Sequence, residues 1–440
     1  MTRPTRIAII GGGWAGCAAL VTAAKLGHAV DLYEAARTLG GRARSTQLED
    51  KTLDNGQHIL LGAYTATLDT IKLAGCDPEN LFLRLPLSLV FPGAFALRAP
   101  TWLPAPLHLL AALCTAQGLT WADRWSAIRF MATQQLRNFK LPEDLSVARL
   151  LADARQTSNT LRYLWEPLCI AALNTPLEAA SAQVFLNVLR DALTQTRAAS
   201  DLLIPRTDLT TSFPALAQAF GEAHGARVFT GCAVKSLIQS GSSFSLQTQS
   251  NANTPNDAYD HVILAVAPQH ASALLEPFAS TATVRAQLAA FAYESITTCY
   301  LQYDAAAKLP APMIGFAVSP TTLSQWAFDR GALDGHAGLI AVVVSASGNA
   351  LDLGQAEIAR RIATEVSVHL GQAQGTAPLW TRVITEKRAT FRCAPNLSRP
   401  TTHSGVSGLW LAGDYVESPY PATLEAAVRS GVAAAQAAKT

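Results

Sequence analysis

Few chains leave an apolar run through three consecutive glycines, and this one does so at Gly11-Gly12-Gly13-Trp14-Ala15-Gly16. Arg6-Ile7-Ala8-Ile9-Ile10 before the turn is apolar and β-branched. An alanine-rich stretch, residues 17–27, follows it, and Ala29-Val30-Asp31-Leu32-Tyr33-Glu34 closes the segment. Strand, glycine turn, helix, strand and acidic end make one βαβ unit of the dinucleotide-binding kind. Gly11 lets the chain turn sharply, Gly13 presents no side chain to a pyrophosphate, and Gly16 lets the helix pack close to the sheet. N–H groups at the helix start then face the phosphates. Glu34 ends the second strand, placed to accept from a ribose hydroxyl, and an acid there disfavours a 2′-phosphate. The expected cofactor is therefore FAD or NAD rather than NADP.

Only Arg3 and Arg6 before the apolar run imitate a secretory signal, and the glycines interrupt that run before any small-residue cleavage site. Nothing in the chain reaches the roughly eighteen uninterrupted apolar residues of a membrane span. Seven scattered cysteines without a CxxC pair read as reduced and mostly buried. A net charge of +2 with dispersed basic residues gives no footprint for nucleic acid. The expectation is a cytoplasmic protein without a metal site, leaving surface contact with a membrane open. At 440 residues with 49% apolar content the chain is long enough for two or three domain equivalents and a large core.

After Glu34, Arg37-Thr38-Leu39-Gly40-Gly41-Arg42-Ala43-Arg44 sets two glycines among arginines. Such a loop is a solvated basic turn by default; at this distance from Glu34 it can bring a guanidinium against a pyrophosphate. Leu53-Asp54-Asn55-Gly56-Gln57-His58-Ile59 is a turn with close backbone approach, and His58 is a weak catalytic candidate, since a lone histidine is more often structural. Residues 81–145 alternate, break at prolines and then carry Trp102, Leu103, Leu107 and Leu110. Trp121, Trp125, Phe130 and Met131 follow at helical spacing with Arg124, Arg129 and Arg137 nearby. A helical core explains most of these side chains; the alternative is an apolar substrate cavity whose mouth meets a membrane.

Residues 146–199 read as helical, with breaks at Trp165-Glu166-Pro167 and Asn174-Thr175-Pro176. A helix over 212–224 leads into strands at 227–229, 232–238 and 244–248. Two or three of these are expected to be antiparallel, a side layer feeding the buried parallel strand of residues 259–268. Residues 291–345 alternate as a second sheet, with a helix over 355–370 and a further strand at 380–384. Near the end, Gly408-Leu409-Trp410-Leu411-Ala412-Gly413-Asp414 reads as a strand ending in a carboxylate. A helix opening at Tyr420-Pro421-Ala422-Thr423-Leu424 can stabilise negative charge through its dipole.

In order and spacing, the Gly11–Gly16 turn with Glu34, the Gly40-Gly41-Arg42 loop, Ala265-Val266-Ala267-Pro268, Leu411-Ala412-Gly413-Asp414 and Pro421-Ala422-Thr423-Leu424-Glu425-Ala426-Ala427 resemble the flavin-dependent amine oxidase and phytoene desaturase superfamily. Gly56-Gln57-His58-Ile59-Leu60-Leu61-Gly62-Ala63-Tyr64 and residues 421–431 look closest to its hydroxysqualene dehydroxylases. The resemblance implies an α/β fold, a Rossmann-like FAD-binding domain (parallel sheet with β-meander) at residues 1–80, 206–290 and 386–440, interleaved with an α+β substrate domain at 81–205 and 291–385. It implies noncovalent FAD, with Gly11, Gly13, Trp14, Ala15, Gly16, Gly41 and Arg42 at the pyrophosphate and Glu34 at the adenosine ribose. Val234 would lie at adenine, Gly413 and Asp414 near the ribityl chain, and Thr423 and Leu424 at the pyrimidine end. A long-chain isoprenoid substrate is implied, with the enzyme converting hydroxysqualene to squalene. Thr423 stands where amine oxidases of the superfamily place an aromatic residue, which argues against an amine. A carotenoid-type desaturase, an amine oxidase and a non-catalytic flavin- or NAD-binding protein are the alternatives. Oligomeric state is not legible.

Overall fold

The structure is a computed structural model and describes residues 3–48, 51–249, 257–319 and 321–438. Its first layer is a five-stranded parallel sheet in the order Arg227–Phe229, Ala29–Tyr33, Arg6–Ile10, His261–Leu264 and Leu409–Leu411. Ile7, Ile9, Leu32, Val262, Ile263 and Leu264 are all fully buried, as strands covered on both faces must be. Helix Trp14–Lys25 packs on one face together with the C-terminal helix Leu424–Ala437. Their close approach depends on Gly431, where a Cβ would lie 2.0 Å from the Ala15 carbonyl oxygen.

At the edge of this sheet the buried Asp31 carboxylate receives Arg227 at 2.7 and 2.6 Å and the Tyr259 hydroxyl at 2.7 Å. Tyr33 and Tyr259 share a further hydrogen bond of 2.6 Å. Burial of an unpaired carboxylate is costly, so a bidentate guanidinium and a phenol make this position tenable. The same contacts fix strand Arg227–Phe229 onto the sheet. Of the three strands expected in this stretch, this one joins the parallel sheet, pairing with Ala29–Tyr33. The antiparallel layer is the two-stranded hairpin Val234–Ser240 and Ser243–Thr248, with a bridge from Phe244 to Tyr259.

The second sheet is antiparallel, in the order Met313–Gly315, Trp326–Asp329, Leu339–Ser345, Tyr293–Gln302 and Trp380–Phe391. Its last strand runs on to Phe391, so the anticipated boundary at 385/386 falls inside a strand. Helix Gln355–Ser367 covers one face with Ile358, Ile362 and Val366. Helices Leu107–Thr115, Trp121–Leu136, Val147–Asp153, Glu166–Leu173 and Ala182–Leu193 form a cap that shares one apolar core with the second sheet. Side chains of Thr120, Ser146 and Ser181 cap three of them, Thr120 in a reciprocal pair with Asp123.

Several expected boundaries shift for local reasons. The chain does not break at Trp165-Glu166-Pro167: a π-turn, Leu161–Trp165, runs directly into Glu166–Leu173. Proline near a helix start lacks an N–H that has no helical partner there anyway. The break comes at Asn174, with φ +46°. The helix expected over 212–224 is two pieces, Leu209–Ser212 and Pro214–Ala223, divided at Phe213 before the proline.

Candidate active site

Both sheets and the cap helices wall a cavity of about 970 Å³, at the upper end of the range for small-molecule sites. Its floor is the glycine turn. Gly11 has φ +104°, and a Cβ there would lie 2.4 Å from the Ala265 carbonyl oxygen; a Cβ at Gly16 would lie 1.9 Å from that of Gly11. Strand end, turn and helix start are thus in backbone contact. Gly13 differs. The nearest atom to a Cβ there is the Gly41 Cα, 3.9 Å away, so the turn is open on its cavity side. Gly13 caps helix Trp14–Lys25 without a side-chain bond, leaving the first-turn N–H groups free for a ligand. The 40–41 loop lies directly on this turn, its Gly40 N–H donating to the Gly12 carbonyl at 2.8 Å.

Of the expected site residues, Gly11, Gly13, Trp14, Ala15, Glu34, Gly41, Arg42, His58, Val234, Gly413, Asp414, Thr423 and Leu424 line this one cavity. Gly16 lies beneath it, against Gly11. Several side chains carry contacts the sequence did not suggest. The Glu34 carboxylate accepts the Gly12 N–H at 2.6 Å and the Ala36 N–H at 2.7 Å, so it braces the turn as well as facing the cavity. Arg42 donates to Asp414 at 2.6 Å and to the Ala389 carbonyl at 2.7 Å, tying the 40–41 loop to the end of the last sheet strand. Trp14 turns its indole inward, donating to the Ala43 carbonyl at 3.0 Å.

The last helix begins at Leu424 with Thr423 as its cap, accepting from the Ala426 N–H at 3.1 Å; Pro421 stays outside it. Ala422, Thr423 and Leu424 bring this N-terminus to the cavity wall. Fully buried Glu425 receives the N–H groups of Ala66 and Thr67 and pairs with Arg429 at 2.7 Å, clamping helix Thr65–Leu73 against it.

A second polar group surrounds Gln57 and His58. Arg330, 1% exposed, donates to the Gln57 side-chain oxygen at 2.6 Å and pairs with Asp334. A guanidinium only donates, so the amide orientation is fixed and the Gln57 NH2 is left on the other side, its one contact a long 3.4 Å to the His58 carbonyl. His58 Nδ1 lies 2.8 Å from the Gly56 carbonyl, which only accepts; Nδ1 therefore carries the hydrogen and Nε2 is a bare acceptor. Burial lowers the basicity of this ring, keeping it neutral. Behind it, burial pushes the Asp54 carboxyl up to about 7, against the Leu209 N–H bond and the Arg330 charge. Sequence reasoning missed Gln57 and Arg330, whose contact spans 273 positions and leaves no local signal. The cap and second sheet contribute apolar Ala171, Ala172, Ile296, Trp326, Phe328 and Val343 to the cavity wall, interrupted by polar Asn174, Ser345, Glu386 and Thr390.

A family model described as flavin containing amine oxidoreductase matches residues 17–439. A protein of Sinorhizobium fredii (strain NBRC 101917 / NGR234) named hydroxysqualene dehydroxylase is 28% identical over 445 residues, covering 99% of this chain and 98% of its own. A zeta-carotene desaturase, chloroplastic/chromoplastic, of Solanum lycopersicum is 22% identical over 475 residues, covering 97% of this chain and 79% of its own. Among solved structures, an oxidoreductase from Methanosarcina mazei superposes with a TM-score of 0.73 at 14% identity, covering 98% of this chain and 100% of its own, a likeness of fold.

Proposed function

This chain belongs to the flavin containing amine oxidoreductase family, and on that premise we propose that it is the FAD-dependent enzyme that reductively removes the allylic hydroxyl of hydroxysqualene, giving squalene. The end-to-end likeness to a hydroxysqualene dehydroxylase carries this reading. The site supports it: Trp326, Phe328, Ile296 and Val343 give the cavity an apolar stretch away from the glycine turn, and Thr423, not an aromatic residue, lines it at the start of the last helix.

The residues present fit FAD. The turn is open at Gly13, helix N–H groups face the cavity, and the Arg42 guanidinium, paired with Asp414, borders it. Gly11, Gly13, Trp14, Ala15, Gly41 and Arg42 would hold the pyrophosphate, with Gly16 setting the turn beneath. Glu34 would take the adenosine ribose and the Val234 backbone the adenine; Gly413 and Asp414 would meet the ribityl chain, and Thr423 and Leu424 the pyrimidine end. When bound and reduced, FAD supplies the hydride that replaces the hydroxyl, which takes up one proton and leaves as water.

The chain's own part is positioning and dryness. The Gln57 NH2, held by Arg330, donates to the substrate oxygen, and the His58 Nε2 accepts its hydrogen; neutral His58 orients the hydroxyl rather than protonating it. Trp326, Phe328 and Val343 exclude water from the developing allylic cation. A polyisoprenoid partitions into bilayers, and we place the enzyme in the cytoplasm at the inner face of the cell membrane; among the described residues no helix is long and apolar enough to cross one.

The second reading, a carotenoid-type desaturase, is favoured by the likeness to a zeta-carotene desaturase. Anaerobic mixing separates the two. Reduced holoprotein should be reoxidised by hydroxysqualene with squalene appearing in equal amount. Reduction of the oxidised flavin by a more saturated polyene, with no reoxidation by hydroxysqualene, would replace this reading with desaturation.

A further inference from the structure

Ten large hydrophobic side chains are exposed among the described residues, and six of them, Trp102, Leu107, Leu110, Trp121, Trp125 and Leu136, fall within 35 consecutive positions. Scattered exposed hydrophobics need no explanation; concentrated ones mark an interaction surface. We propose that the helical hairpin Leu107–Thr115 and Trp121–Leu136, with the turn at Trp102, is the face by which this protein docks on an anionic lipid bilayer.

Helix geometry separates two faces. On Trp121–Leu136, positions 121, 125, 132 and 136 lie on one arc and are exposed, while Ala127, Phe130 and Gln134 lie opposite and are buried. On Leu107–Thr115, exposed Leu107 and Leu110 oppose buried Leu109, Ala112 and Leu113. The inner face satisfies the core; among the described residues nothing covers the outer one. It is also rigid. Arg124 donates to the carbonyls of Cys114 and Ala116 at 2.8 and 2.7 Å, satisfying the end of the first helix, and its guanidinium lies 4.8 Å from the Trp121 ring centroid. An exposed indole presents an apolar body with a polar N–H, the form favoured at the headgroup boundary.

Charge selects the occupant. Residues 93–142 contain Arg98, Arg124, Arg129, Arg137 and Lys140 against a single acid, Asp123. That acid is buried, its carboxylate receiving Thr120 and Asn159. An apolar face with this excess of positive charge, which ends only at exposed Glu143, suits anionic headgroups and disfavours a second copy of itself. The inner side leads toward the active site: Leu109, Leu113 and Met131 line a small apolar cavity of about 20 Å³ with Leu168. Leu168 lies on helix Glu166–Leu173, whose Ala171 and Ala172 line the main cavity. That this surface serves to load substrate rests on the proposed function; the docking itself does not.

The test is flotation of the FAD holoprotein, without substrate, on vesicles of phosphatidylcholine with and without phosphatidylglycerol, comparing it with W102S/W121S/W125S. These indoles are 79%, 73% and 66% exposed, so the thermal midpoint and flavin content should hold. The parent should float with the anionic vesicles and the triple variant at least tenfold less, and R137E/K140E should weaken binding with every indole in place. A parent that stays at the bottom of the gradient overturns the proposal, as does a triple variant that floats like the parent. A parent dimer dissociated by the triple substitution, without vesicle binding, would assign the face to a second copy instead. Turnover of micelle-supplied hydroxysqualene reports the reaction separately: if it fails while flotation succeeds, only the proposed reaction falls.

Discussion

Replacing Glu34 by alanine probes two roles of one carboxylate. The first is bracing: its oxygens accept the Gly12 and Ala36 N–H groups at 2.6 and 2.7 Å. Hydrogen bonds to a charged acceptor contribute roughly 1.5–3 kcal/mol each, giving an upper bound of about 3–6 kcal/mol for the pair. Glu34 is only partly buried and borders the cavity, so water can satisfy both amides after truncation. The expected loss is therefore about 2–3 kcal/mol. At about 2 °C per kcal/mol, the low end suited to a large chain, the flavin-free protein should melt about 4–6 °C lower. The second role is ribose binding: losing one charge-assisted bond to a hydroxyl should weaken FAD by about 10- to 100-fold. Differential scanning fluorimetry of apoprotein and FAD titration read the two roles independently. Glu34→Gln retains one acceptor oxygen and should recover about half of the melting loss. If the apoprotein midpoint stays within about 1 °C while FAD binding weakens, the brace is refuted and the carboxylate acts on the ligand alone. If FAD affinity is unchanged, the ribose lies elsewhere.

Gly16→Ala should yield protein without bound flavin, because the new Cβ meets the Gly11 carbonyl oxygen at 1.9 Å and rigid backbone must move at about 1–3 kcal/mol or more; normal flavin absorbance after purification would contradict this. Asp54, raised to about 7 from the ordinary 3.8 by burial, keeps its proton in the folded state over that window. Its stabilising contribution is full below the unfolded value and is lost as pH rises through about 7. Asp54→Asn should then flatten the decline of the thermal midpoint between pH 5 and 8, and parallel profiles for parent and variant would remove Asp54 as its source. Denaturation should release all flavin into the supernatant, since no cysteine or histidine stands in an attachment motif; flavin that stays with the precipitate would show a covalent bond.

How much of this protein was legible in its sequence depends on the range of the forces involved. The turn at residues 11–16 and the strands and helix beside it follow from steric rules over a few residues, and those same rules make the turn bare at Gly13. Periodicity likewise announced the helix at Trp121 and placed Trp125 beside it on one arc. It could not say that Phe130 faces inward while the indoles face outward, because both arcs are apolar and only the neighbouring elements decide which is covered. Strand Arg227–Phe229 was legible as a strand but not as a parallel one; its partner is chosen by the free edge of Ala29–Tyr33 and by Asp31 waiting for a guanidinium. Glu34 was found through the end of a strand, yet its bonds to Gly12 and Ala36 depend on how the turn folds back on it. Gln57 lay within a noticed turn, but its orientation comes from Arg330, 273 positions later. Local sterics act through adjacent residues and are written in order along the chain; burial and pairing of charge act through space, and only the completed fold brings those partners together.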